Sequence, residues 1–232
     1  MNHATKPTRT MLLTVGCCFA AALCPAALTG CASTTIAAKE ALGYAKREQL
    51  VDRVEDARDA QGQAKQQFAS ALEEFLSVTG VGGSASTKEL ETKYAKLKDA
   101  LAASEKRAGA VRSRITDTRN VADALFKEWN KELSQYSNAS MRSSSELQLN
   151  ETKRQYERLI GTMDDAAAKM DPVLSVFRDQ VLFLKHNLNA RAIAGLQGVS
   201  DTLSADVAAL VKDMEASIAE ADAFIAAMQL GN

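Results

Sequence analysis

Residues 50–79, LVDRVEDARDAQGQAKQQFASALEEFLSVT, decide the fold. Leu50, Val54, Ala57, Gln61, Ala64, Phe68, Ala71, Phe75 and Val78 recur at alternating steps of four and three. A row with that spacing stays on one side of a helix and makes a continuous seam for a partner helix. Gln61 is the one polar member. The other positions carry charged and polar residues, so the segment is amphipathic and wants helices as neighbours. We expect this helix to span 38–79 and to stop at the Gly80–Ala85 run, GVGGSA. A glycine-rich turn before a helix can cradle phosphate. This one lacks the Gly-Lys-Ser/Thr ending and follows no strand, so it reads as an interhelical loop.

The same pattern continues toward the C-terminus. Ser86 with Glu89 three residues on forms a capping box for a second helix, expected over 87–136. Its inward stripe includes Leu90, Tyr94, Leu97, Leu101, Ala108, Val111, Ile115, Ala122, Leu125, Trp129 and Tyr136, with Ser104 and Thr118 in seam positions. Ser137-Asn138-Ala139-Ser140 is a turn signal, and Ser143 with Glu146 suggests a third helix over 143–187. Asp171-Pro172 resembles an N-cap followed by a first-turn proline, so a break is expected near 171. Asn187 and Asn189 mark the next turn, before a last helix expected over 190–228. Long amphipathic helices joined by short turns pack antiparallel. The expected fold class is therefore all-α: an elongated antiparallel helical bundle of about four long helices with no β-sheet, forming one domain over 38–232.

Before the first helix the composition changes. Lys6 and Arg9 supply a basic start, residues 11–29 are apolar apart from a few small polar side chains, and no carboxylate occurs before Glu40. This is the three-part pattern of a secretory signal, with Gly16 and Pro25 interrupting any membrane span. Cys31 follows directly on Leu28-Thr29-Gly30, which resembles the bacterial lipobox. The expectation is a lipoprotein signal peptide over 1–30, a lipidated tether over 31–37, and acylation of the Cys31 thiol. Cys17, Cys18 and Cys24 would leave with the signal, so the mature chain would hold neither a disulfide nor a cysteine-bound metal. Ala32 and Ser33 follow the anchor where inner-membrane retention usually requires Asp. The expected location is thus the periplasmic face of the outer membrane, held there by several acyl chains.

Removing Lys6 and Arg9 leaves 26 basic residues against 29 acidic ones in the mature chain, a net charge of −3. That balance gives no general attraction for nucleic acid or anionic lipid. Ala, Glu, Lys, Leu and Arg dominate, as they do in long helices, and Pro172 is the only proline after the signal.

Catalytic candidates are few. His186 is the one histidine of the mature chain, and Asp179 falls near its face on a helical wheel. The pair could serve acid–base chemistry, but a solvated histidine on a polar face is the commoner meaning. No His-rich or HExxH spacing offers a metal site. We expect no enzyme, no cofactor and no metal. Residues 173–198 are the most unusual part of the mature chain. Val173, Leu174, Val176, Phe177, Val181, Phe183, Leu184 and Leu188 cover nearly half the helix circumference, while Leu182 lies outside that arc. A wide arc means burial against two or three helices. The alternative is that Leu182 and His186 stay exposed beside the turn at Asn187 and Asn189 and form with it a partner-binding tip.

The runs VDRVEDARDAQGQAKQQFASALEEF (51–75), EWNKELSQYSNASMR (128–142) and FRDQVLFLKHNLNARAIAGLQG (177–198) resemble a family of Gram-negative lipoproteins, domain of unknown function 2959. The resemblance covers essentially the whole mature chain and implies a helical protein without an assigned activity. Some members carry the label "DNA repair ATPase", which this chain contradicts: it has no Walker lysine motif. The leading expectation is a lipid-anchored structural or protein-binding rod with an envelope protein partner, self-association into a homo-oligomer being a further option. A lipid-handling module comes second and a hydrolase acting at His186 last.

Overall fold

The computed structural model describes residues 45–80 and 86–230. The expected signal peptide (1–30), the expected tether with Cys31 (31–37), residues 38–44 expected to open the first helix, and residues 81–85 lie outside the described residues. Five helices follow one another: α1 (Lys46–Thr79), α2 (Thr87–Leu133), α3 (Ala139–His186), the short α4 (Ala190–Ala194) and α5 (Gln197–Leu230). No strand occurs among the described residues. The fold is all-α, an elongated helical bundle. α1 packs against α2 and α5, and α3 packs against the same two, so the long helices close a four-sided ring.

Each neighbour runs antiparallel, as the cross-helix bonds record. Thr118 Oγ1 donates to Arg53 O at 3.1 Å, and Gln67 Nε2 donates to Ala100 O at 3.3 Å. Arg58 meets Asp222 at 3.0 Å and Lys65 meets Glu215 at 3.2 Å. The α1 seam is buried throughout, Gln61 included. Alanines at 57, 64 and 71 let α2 approach closely. Phe75 reaches across the core to Phe177 of α3, edge to face at 6.2 Å, a geometry that adds to the area both rings bury. Ser104 and Thr118 occupy seam positions without penalty: the Ser104 hydroxyl donates to Ala100 O one turn back, and the single Thr118 hydroxyl proton is shared between Arg53 O and Arg114 O.

Four expectations are corrected. α2 ends at Leu133 rather than 136: the Ser134 hydroxyl donates to Lys131 O and the turn begins there. Tyr136, placed on the inward stripe, is consequently exposed. α3 starts at Ala139, four residues before the expected Ser143. The Asn138 side chain accepts from Ser140 N and Met141 N, which is a complete N-cap, and Ser143 merely continues the helix.

The third correction concerns Pro172. α3 runs through it without a break. Pro172 and Asp171 face solvent, where the carbonyl freed by the missing N–H can be hydrated, while Met170, Val173 and Leu174 remain in the core. Burial on both sides of the proline outweighs the local cost. Fourth, the helix expected over 190–228 is two pieces. Gly195 N bonds back to Arg191 O and Ala192 O, ending α4, and α5 begins at Gln197 and runs to Leu230. A Cβ at Gly195 would meet Ala192 O at 3.2 Å, so the tight turn suits glycine.

Candidate functional site

The expected tip lies where α1 and α3 end and α2 begins. Within α3, Val173, Leu174, Phe177, Val181 and Leu184 are buried, while Val176 and Leu188 are half-buried. The wide apolar arc thus serves three neighbours: α2, α5 and, through Phe177, α1. Leu182 escapes it at 62 % exposure and Phe183 at 42 %, and His186 faces solvent. Leu76 of α1 is a further exposed leucine at this end.

The two asparagines have local work. Asn187 Nδ2 donates to Phe183 O at 3.0 Å, closing the last turn of α3. Asn189 Oδ1 accepts from Ala192 N at 3.0 Å, capping α4. One end of each amide is thus spent on positioning the turn after α3. His186 and Asp179 are both exposed but stand two helical turns apart, about 10 Å along the axis. That separation exceeds hydrogen-bond reach, so the structure does not assemble an acid–base pair.

Elsewhere the surface carries shallow grooves. One of about 470 Å³ lies between α1 and α5 and is lined by Arg58, Gly62, Gln63, Ile218 and Asp222. Another of about 430 Å³ lies between the start of α1 and the end of α5, against Arg47, Val51, Glu55 and Met228. Both are open to solvent and fringed by charge, unlike the apolar enclosures that hold small molecules. Among the described residues no three His, Cys, Asp or Glu side chains are grouped to hold a metal. No helix there is long and apolar enough to cross a membrane.

One polar seam position legible in the sequence proves to be unsatisfied, and one further feature escaped the sequence. Gln61 is fully buried with neither its Oε1 nor its Nε2 bonded, and Ser217 Oγ of α5 is buried and unbonded as well. Both fall in the section of bundle bracketed by the Arg58–Asp222 and Lys65–Glu215 pairs. Gln61 was legible as a polar seam member; Ser217, spaced three after Met214 and four before Ala221, carried the same signal.

The second feature is the α2–α3 hairpin. From Asn130 through Gln148 nothing is buried, although α2 and α3 continue as helices to either side of the 134–138 turn. Lys46, at the start of α1, already pairs with Glu128, and Arg47 donates to Met228 O near the end of α5. The hairpin therefore projects past the described start of α1 and past the end of α5, by about 10–15 Å at 1.5 Å per residue. It bears Tyr136, Met141 and Leu147, all exposed, and is braced by Trp129 Nε1 donating to Ser145 Oγ at 2.8 Å.

No curated protein and no solved structure matches the chain. A family model does, over residues 36–228, which include all five helices but the last two residues of α5. Its description is a protein of unknown function, and the chain belongs to that family, DUF2959.

Proposed function

We propose that the protein is a non-catalytic envelope lipoprotein: a bundle tethered through acylated Cys31 to the periplasmic face of the outer membrane, holding a protein partner at its far end. Leu28-Thr29-Gly30-Cys31 behind a basic, then apolar, N-terminus supports the anchor. The observation that carries the binding role is the exposure of Leu182 and Phe183 side by side at the end of α3. The grooves are open and charge-fringed, and His186 has no catalytic neighbour in Asp179, which favours adhesion over chemistry.

Two experiments test the two halves. Cys31→Ser removes the acylated thiol, so processing stalls and the protein leaves the outer-membrane fraction; palmitate labelling that survives the change refutes the anchor. For the partner, crosslinking in intact cells is compared between the parent and Leu182→Glu or His186→Glu. Both substitutions lie on exposed positions and should shift stability by no more than about 0.5 kcal/mol while abolishing the crosslinked species. An unchanged crosslinking pattern removes the tip from the interface.

A further inference from the structure

We infer that the tip of the α2–α3 hairpin seats in the headgroup layer of the bilayer that holds Cys31, so that the bundle stands on the membrane at two points. The inference rests on the anchor reading above and adds a contact to it. Three observations carry it. First, direction: Lys46 and Arg47, next to the first described residue on the Cys31 side of the chain, lie beside Glu128 of α2 and the end of α5, which is the end from which the hairpin projects. Second, reach: the fourteen steps from Cys31 to Ala45 span at most about 50 Å when extended. That exceeds the hairpin's projection, so the tether permits the tip to touch the surface while the lipid stays inserted.

Third, chemistry. Between Glu132 and Glu146 the chain reads LSQYSNASMRSSS, without a carboxylate and with Arg142 as its single charge. Carboxylates resume on both flanks, at Glu128 and Glu132 and at Glu146 and Glu151. The gap falls on the segment that projects. Tyr136 is the type of side chain that settles at a membrane–water boundary, its ring in the apolar layer and its hydroxyl in water. Met141 adds an exposed apolar side chain, and Arg142 matches lipid phosphate geometrically. The contact is a shallow one: no helix among the described residues is long and apolar enough to cross the bilayer, and acylation supplies the affinity. What the tip supplies is orientation. It directs the bundle axis away from the surface and carries the Leu182 end outward.

The test uses the mature acylated chain on vesicles of phosphatidylethanolamine and phosphatidylglycerol. Met141 is exposed, whereas Met163, Met170, Met214 and Met228 are buried, so a membrane-impermeant oxidant reports on Met141 without any substitution. In detergent-free solution Met141 should convert readily to the sulfoxide; on vesicles its conversion should be largely lost. As a second readout, the sole tryptophan is moved in Trp129→Phe/Tyr136→Trp, whose emission should shift to the blue and be quenched by brominated lipid. Trp129→Phe/Leu182→Trp should remain unquenched. Met141 oxidised equally fast on vesicles that carry the protein overturns the inference and leaves the anchor standing. Protection already present without vesicles, with dimers on sedimentation, assigns the tip to a second copy and also overturns it. The intact mass reports acylation separately. An unacylated chain that still protects Met141 on vesicles sustains the docking without the anchor, and one that neither binds nor protects removes both.

Discussion

Single side chains expose where the core departs from its own pattern. Gln61 is the clearest, an amide taken from water and given no partner in return. Burial of an unbonded amide costs about 1–3 kcal/mol in proteins. Gln61→Leu keeps the seam apolar and should raise the melting temperature by about 2–12 °C for a chain of this size, read by circular dichroism. A lower melting temperature would mean that the amide is satisfied, by water or by rearrangement. Tyr156 makes the complementary case. Burial first, and the nearby Asp123 charge second, push its hydroxyl up to about 12. The folded state therefore holds the phenol proton more tightly than the unfolded chain, where the usual value is about 10. Its contribution to stability is complete below pH 10 and is lost as pH rises toward 12. Tyr156→Phe should flatten the alkaline fall of the melting temperature, and an unchanged alkaline limb would contradict the shift.

At the scale of elements, the helix ends were legible where capping chemistry was unambiguous. Ser86 accepts from Glu89 N as its capping box requires, and Gly80 N bonds to Leu76 O where the seam stops. The misplaced ends are those with two competing signals. Asn138 and Ser143 both lead a plausible α3, and the earlier cap prevails because each extra turn adds backbone bonds at little cost. Asn138→Ala should remove about 1 kcal/mol from the start of α3 and increase amide exchange over 139–145. Pro172 shows the limit of local rules. A proline inside a helix costs about 3 kcal/mol relative to alanine, so Pro172→Ala should stabilise the bundle by up to about that amount. Helix content should stay the same; an increase would mean that the proline interrupts α3 in solution.

For the whole molecule, shape is the property with consequence. α3 alone, at 48 residues, is about 72 Å long. A compact chain of this length has a radius of gyration of about 17 Å, whereas a rod with these helices has about 22–24 Å. Small-angle scattering of the mature protein should return the larger value; the smaller would require the bundle to fold back on itself. A rod separates its ends. The Leu182–Phe183 pair and the Tyr136–Met141 tip lie at opposite ends of α3, and in the proposed reading the first meets protein and the second lipid.

Helical class, the seams and most of the core were determined by the sequence alone, because a period of three and four over fifty residues has only one geometric meaning. Leu50 through Val78 and Leu203 through Met228 are buried as that periodicity requires. The tertiary structure decided what periodicity does not contain. Whether Leu182 and Tyr136 are covered depends on where a neighbouring helix stops, and that is set by the relative lengths of α1, α2, α3 and α5. Whether Gln61 finds a partner depends on side chains more than a hundred residues away. Periodicity is a property of one helix; exposure at the ends of a bundle is a property of four.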